Sequence, residues 1–370
     1  MRVPFVDLKR QYENHRESLD GAIAAVIEET AFIRGKYVKA FEDEFASAMG
    51  VEHCVSCANG TDALYLGLRM LEMEPGDEVI TTANSWIATS ESITNAGGVV
   101  VFVDTDDATF NMDVKKIEEK ITKRTRAILP VHLLGQSADM TAIMDLAGRH
   151  GLAVIEDCAQ AHKATWGGQK VGTFGSVGTF SFYPGKNLGA FGDAGAIITN
   201  DGELARRMRT LANHGAEAGS KHSHIVEGIN SRLDGIQASV LSAKLPHLGD
   251  WTKGRREAAA KYGSELSTVS EVRVPVIAEE AESVFHVYSI LADDRDGLQE
   301  YLSDEGIATS RHYPTPLPFL EAYRYLGHTR EEFPTASRHQ ERMLSLPIYP
   351  EITDEQIGYI AERIGKYYKR

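Results

Sequence analysis

Apolar positions along this chain follow two rhythms that take turns. Residues 8–29 and 36–49 repeat at helical spacing, with Phe41, Phe45, Ala48 and Met49 on one face of the second helix. From residue 53 short apolar runs alternate with helical patterns. Runs at 53–57, 78–82 and 99–104 are each followed by a helical pattern, at 61–71, 85–95 and, highly charged, 114–121. A run at 127–132, a helix at 140–149 and a run at 152–156 continue the series. Such alternation predicts βαβ units and a mostly parallel sheet with helices on both faces. The runs 179–183 and 195–199 follow each other with no helix between them, which predicts an antiparallel insertion.

A long helical pattern over 234–266, broken near Pro246, leads out of this first lobe. Strands at 272–276 and 285–291, with helices near 295–305, 335–343 and 353–368, predict a smaller α+β unit. The expected class is therefore α/β. N-terminal helices and a large α/β/α sheet domain occupy 1–240, and a small C-terminal domain occupies 241–370.

Composition narrows the function. With 370 residues the chain can bury the core of a two-lobed enzyme. Lys and Arg number 39 against 53 Asp and Glu, a formal charge of −14, which argues against non-specific nucleic-acid binding. Met1-Arg-Val-Pro-Phe does not resemble a signal peptide, and no apolar run is long enough to span a bilayer. Three cysteines suit a reducing compartment, so a cytoplasmic protein without membrane association is expected. Cys54 and Cys57 form a C-x-x-C inside an expected strand, where residues three apart face opposite sides. They read as small buried side chains, not as a redox pair or zinc ligands. His222 and His224 lack a third ligand at usable spacing, so no metal site is expected.

The chemistry concentrates in Ser181-Phe-Tyr-Pro-Gly-Lys-Asn-Leu-Gly-Ala-Phe-Gly192 and Glu156-Asp157-Cys-Ala-Gln160. The first sets Lys186 in a glycine-rich turn after one apolar run; the second sets Asp157 at the end of another. A fixed amine and a fixed acid are what pyridoxal phosphate chemistry requires. The amine forms a Schiff base, and the acid keeps the pyridine nitrogen protonated so that the ring draws electrons. Lys186 must be neutral to attack an aldehyde, so burial should lower its pKa. Ala58-Asn-Gly-Thr-Asp-Ala-Leu64 runs from a strand end to a helix start and offers free N–H groups to a phosphate, or merely an N-cap at Asn59 or Thr61. The glycines at 189–195 have the wrong spacing for a dinucleotide fingerprint, which weakens the case for a nicotinamide oxidoreductase.

Taken together, these stretches resemble the DegT–StrS group of sugar aminotransferases, with the type I aspartate aminotransferase fold. Matching segments run from Pro4-Phe-Val-Asp-Leu-Lys9 through Trp86-Ile-Ala-Thr89, Val171-Gly-Thr-Phe-Gly175 and Asn230-Ser-Arg-Leu-Asp234 to Arg311-His-Tyr-Pro314 and Leu346-Pro-Ile-Tyr-Pro350. The resemblance implies pyridoxal 5′-phosphate as cofactor, with Lys186 as the Schiff-base lysine that also moves the proton. It implies Asp157 on the pyridinium nitrogen, Gln160 on the ring hydroxyl oxygen and Trp86 stacked on the ring. Gly60, Thr61 and Ser181 would hold the phosphate, joined by Asn230 from a neighbouring subunit, so a homodimer with shared sites is implied. Tyr183, His312 and Tyr313 are implied on the substrate side. Arg232 either holds a substrate anion or pairs with Asp234.

The sequence departs from the family pattern at Lys163 and Ala194, where glycine is frequent, and at Asn59, where serine is common. The implied reaction moves an amino group from L-glutamate to a nucleotide-linked ketosugar, with a dTDP-linked 3-keto-6-deoxyhexose expected. A UDP-ketosugar or a keto-cyclitol is the alternative. A deoxysugar dehydratase of the same fold carries histidine at the lysine position, so Lys186 argues against it. A regulator that keeps the fold is the remaining rival, and the intact lysine–aspartate pair argues against that.

Overall fold

The computed structural model describes residues 1–217, 219–220 and 222–369. The first helical pattern divides into α1 (Leu8–Asn14) and α2 (Arg16–Glu28). His15 sits between them at φ −124° and ψ 17°, outside the helical region. Helix α3 (Lys36–Met49) stops at Gly50, whose φ of +80° closes it in the left-handed conformation. The alternating part follows as β1 (His53–Cys57), α4 (Gly60–Arg69), β2 (Glu78–Thr82), α5 (Ala88–Asn95), β3 (Val99–Val103), β4 (Thr125–Leu129), α6 (Met140–His150) and β5 (Ala153–Asp157). Short β6 (Thr165–Trp166) and β7 (Gln169–Lys170) precede β8 (Val177–Ser181), β9 (Gly195–Thr199) and α7 (Gly202–Leu211).

Seven strands form the central sheet in the order β1-β9-β8-β5-β4-β2-β3. The stretch from β8 to β3 is parallel, and β9 runs antiparallel to both β8 and β1. The expected antiparallel insertion is thus β9. Because β9 reverses direction twice, β1 points the same way as β8. The C-terminal ends of β1, β2, β5 and β8 therefore open at one edge, where open α/β sheets take their ligands. Cys54 packs into the layer with Phe41 and Phe45, and Cys57 into the opposite layer with Leu64 and Leu66. Both thiols are buried.

Helix α8 (Gly235–Lys244), a single 3₁₀ turn at Leu245–His247 and α9 (Leu248–Leu266) lead away from the sheet. Beyond them β10 (Val272–Arg273), β11 (Ala281–Glu282), β12 (Tyr288–Ala292), α10 (Arg295–Asp304), α11 (Pro334–Arg342), β13 (Met343–Leu346) and α12 (Asp354–Tyr368) complete the chain. Strands β10, β12 and β13 form a second sheet, whose core joins Tyr262 of α9, Leu298 and Leu302 of α10 and Ile360 of α12. The N-terminus belongs here too, since Val3 bridges Ile307. A division at 240/241 cuts α8, whose Ala238 and Leu241 pack with the α3 phenylalanines. We propose that the two units instead join at the Leu245–His247 turn.

Some elements differ from the pattern reading. The charged segment 114–121 forms two 3₁₀ turns, because Asp113 caps Lys115 N–H at 3.1 Å and Asp104 draws Lys116 at 3.0 Å before a longer helix can build. The helix near 335–343 ends at Arg342 because Met343 pairs with Leu291 as a strand. Among the described residues no helix is long and apolar enough to cross a membrane.

Candidate active site

Neighbouring residues on β5 face opposite ways and do different work. Glu156 is fully buried, and its two oxygens accept from His132 Nε2 (3.0 Å) and from the backbone N–H groups of Gly172 (2.7 Å), Phe174 and Gly175 (both 2.8 Å). It pins the 171–175 loop. His132, Glu156 and Cys158 bring possible ligand atoms within 4.8 Å of one another. Glu156 already holds four donors, His132 Nδ1 accepts from Ala138 N–H (3.1 Å), and burial pushes the Cys158 thiol up. The group is a hydrogen-bonded anchor.

Asp157 points into the open edge. Its Oδ2 accepts from Thr89 Oγ1 at 2.8 Å, itself 2.8 Å from Ser85 Oγ, and its Oδ1 accepts from Ala159 N–H at 3.1 Å. Even so, burial raises its pKa, against the lowering pull of those bonds and of Lys186. Among the described residues no cation forms an ion pair with this carboxylate; the Lys186 amine acts on it only through its field. Burial lowers the Lys186 amine to about 8, with Asp157 opposing. Part of the Lys186 side chain remains solvent accessible, so the depression arises from the atoms packed around its amine. The field of Lys186 also reaches His162, His286 and His312, which burial holds at about 3, well below the ordinary range, and at about 4 respectively. The amine therefore sits among three neutral imidazoles.

The other expected residues gather round this pair. Gln160 receives Leu134 N–H on Oε1 (2.6 Å) and donates from Nε2 to the Tyr313 hydroxyl (2.8 Å), which fixes the amide's orientation. Trp86 lies just before α5 with 60% of its surface exposed, its ring centroid 5.7 Å from that of Tyr313. An exposed indole tilted against Tyr313 offers a face to a flat ring. His312 stacks on Phe5 at 5.8 Å and meets Ser345 Oγ at 2.8 Å. Tyr183 is 59% exposed at the mouth.

The cup at α4 is equally tight. Asn59 caps the helix, accepting from Asp62 N–H at 2.8 Å, which bears out the N-cap reading at Asn59. A Cβ on Gly60 would lie 2.6 Å from Ser181 Cβ, so only glycine lets the helix start approach β8. Gly60→Ala is expected to weaken cofactor retention roughly 10-fold or more through this overlap, read from the pyridoxal phosphate Kd. Retention equal to the parent protein contradicts the cup.

Asn230 stands apart: exposed, its backbone bridged to Asn213. Arg232 and Arg34 line a separate cavity of about 850 Å³ with Arg209 and Glu42, whose walls include none of the groups around Lys186. His224 Nδ1 donates to the His214 carbonyl at 2.9 Å, and neighbouring Lys221 lies outside the described residues. Lys163 adopts φ +65°, the left-handed conformation that explains why glycine suits this position. One neighbour of the site, His286, which feels the field of Lys186, carries no local sequence signal. His286 donates from Nδ1 to Asn187 Oδ1 (3.0 Å), and Asn187 Nδ2 donates to the Val284 carbonyl (3.0 Å).

A buried amine, an undercompensated carboxylate and a glycine-lined helix start thus lie at one sheet edge. The model of the DegT/DnrJ/EryC1/StrS aminotransferase family matches residues 13–365. The chain belongs to this family. It is 45% identical, over 100% of its length and 99% of the relative's, to a pleiotropic regulatory protein of Geobacillus stearothermophilus. It is also 45% identical, over 98% of its length and 97% of the other's, to a UDP-N-acetyl-3-dehydro-alpha-D-glucosamine 3-aminotransferase of Acidithiobacillus ferrooxidans. A dTDP-3-amino-3,4,6-trideoxy-alpha-D-glucose transaminase of Streptomyces venezuelae shares 42% over 100% and 97%. The solved structure of S. venezuelae DesV, in complex with a ketimine intermediate, superposes with a TM-score of 0.97 at 42% identity, covering 100% of this chain and 99% of that one. The protein is a sugar aminotransferase of the pyridoxal phosphate-dependent type. The residues at the sheet edge fit that cofactor, since the Gly60–Ser181 cup, the exposed Trp86 and the unbalanced Asp157 each match one of its parts.

Proposed function

We propose that this aminotransferase carries an amino group from L-glutamate to C3 of a dTDP-linked 3-keto-6-deoxyhexose, as a homodimer. The observation that carries the chemistry is the Lys186 amine, which burial lowers to about 8 against the opposing pull of Asp157. When bound, the cofactor supplies an aldehyde and an electron-accepting ring. Asp157 would keep the ring nitrogen protonated, and Gln160, already turned by Leu134 and Tyr313, would present an amide N–H to the ring oxygen. Gly60, Thr61 and Ser181 would hold the phosphate and Trp86 the ring face. Lys186 would move the proton between the donor's Cα and the cofactor's C4′. His312, Tyr313 and Tyr183 line the side from which a sugar would enter.

A shared site is supported by Asn230 being exposed and by the 44% and 52% exposed Phe32 and Ile33, the latter bridged to Asp234 farther along the same segment. Apolar side chains of that size at a surface suit a subunit contact. Mixing inactive Lys186→Ala and Asn230→Ala proteins should restore activity in hybrid dimers, which keep one intact site; no recovery counts against a shared site.

The dTDP assignment rests on the Ala58–Thr61 and Asn230–Asp234 stretches and on the S. venezuelae relative. A UDP-linked substrate is the second reading, favoured by the 45% identity to the A. ferrooxidans enzyme. A panel of dTDP- and UDP-ketosugars with L-glutamate, scored by product mass and 2-oxoglutarate release, separates them. Turnover of only UDP sugars overturns the first reading.

A further inference from the structure

The loop that carries Lys186 is closed by its own backbone. Lys186 N–H donates to the Tyr183 carbonyl and Ala190 N–H to the Phe182 carbonyl, both at 2.8 Å. A Cβ on Gly189 would sit 2.3 Å from the Pro184 carbonyl oxygen, so the two arms touch. What fixes this closed loop against the protein lies elsewhere. On one side Asn187 is tied to Val284 and His286. Arg255 of α9 in turn donates to the carbonyls of Phe285 (3.2 Å), His286 (3.3 Å) and Ile348 (2.8 Å). On the other side, Phe191 N–H donates to Gln237 Oε1 at 2.8 Å.

Between these ties lies Lys244, the last residue of α8, with only 2% of its surface exposed. Its Nζ donates to the Gly189 carbonyl at 2.8 Å and stands 4.5 Å above the centre of the Phe191 ring. A buried ammonium costs free energy unless it does something there. Among the described residues it forms no ion pair with a carboxylate; the field of Glu351 reaches it from farther away. Its hydrogen bond and its ring contact are both with the Lys186 loop, and its field also reaches His15 between α1 and α2.

We infer that Lys244 is a positioning residue for Lys186: it holds the Gly189 carbonyl and Phe191 ring so that the loop stays closed and water stays away from the reactive amine. The inference rests on the reading of Lys186 as the reactive lysine. Burial also lowers Lys244 itself, to about 8, which agrees with a dry setting. Without its ammonium the Gly189 carbonyl is left buried and unpaired, and the loop must shift to hydrate it. Water then reaches Lys186 and its pKa moves up toward the ordinary lysine value. The groups that otherwise set that pKa, Asp157, His162, His286 and His312, are untouched by the change.

The test is made on the cofactor-free full chain. An amine-reactive reagent is applied across a pH series, and Lys186 labelling is quantified by peptide mass. Lys244→Met, similar in length but without the donor, is expected to move the labelling midpoint upward from near 8 and slow labelling at pH 7 roughly tenfold. Lys244→Arg, which keeps a donor, returns the profile toward the parent. A Lys244→Met protein that melts lower but labels with the parent profile has lost only stability, and overturns the inference. If Lys244→Met is insoluble, Phe191→Leu keeps the backbone tie to Gln237 and removes the ring face. It should move the midpoint in the same direction by less, and an unchanged midpoint overturns the inference. Failure here leaves a cofactor-bearing Lys186 standing, whereas cofactor attached to another lysine removes the reading on which the inference rests.

Discussion

Lys186→Met is expected to lower amino transfer by at least roughly 10³-fold, because no other group at the sheet edge can both bond the cofactor and shuttle the proton. Methionine keeps the length of the side chain, so its effect on folding separates cleanly from its effect on chemistry. The folded-state pKa of Lys186 is about 8, below the ordinary 10.5. Below pH 8 the folded protein therefore carries a poorly solvated cation that the unfolded chain hydrates freely, and this cost is fully present there. It fades as pH rises from 8 to 10.5, where the amine becomes neutral in both states. Cofactor-free Lys186→Met should accordingly unfold at higher denaturant concentration than the parent at pH 7, with the gap closing by pH 10.5. A variant that is both inactive and less stable at pH 7 contradicts the idea that burial is what tunes the amine.

Asp157→Asn carries the second large effect. Asparagine retains the shape but cannot hold a proton on a pyridine nitrogen, so turnover should drop roughly 10²- to 10⁴-fold. The cofactor-free protein should respond in the opposite direction. Burial raises the Asp157 pKa, so the folded state binds a proton more readily than the unfolded one. That destabilises the fold fully above the raised pKa, and the cost disappears as pH falls to the ordinary 3.8. Asp157→Asn should thus gain stability at neutral pH and lose the gain near pH 4, as followed by denaturant unfolding. Equal turnover in parent and variant removes the electron-accepting role assigned to this carboxylate.

Much of this architecture was legible because its signals are local. Strands β1, β2 and β9 end where their apolar runs end, at Cys57, Thr82 and Thr199. Asp157 and Lys186 stood out by lying just past such ends. Other features have causes far away in sequence. The break at His15 falls inside an unbroken amphipathic pattern, where His15 packs against His247 and Trp251 at 4.2 and 5.5 Å. Strand β13 hides behind α11, since only pairing with β12 distinguishes Met343–Leu346 from a further helical turn. Helix α7 carries a weak pattern because its buried face of Ala205 and Met208 is narrow within a charged segment. At the site, Leu134 aims Gln160 from 26 residues away, and Asn187 meets His286 across 99. Lys244 reads as an ordinary helix-ending lysine until its carbonyl partner, 55 residues away, is seen.

The central claim is that Lys186 is the residue that bonds the cofactor. Reducing the pyridoxal phosphate-loaded protein with borohydride, digesting it and mapping the modified peptide by mass tests this directly. The account predicts one phosphopyridoxyl group per chain, on Lys186 within Ser181–Gly192. A stable adduct on Lys163, Lys244 or any other lysine, or no adduct at all, contradicts it.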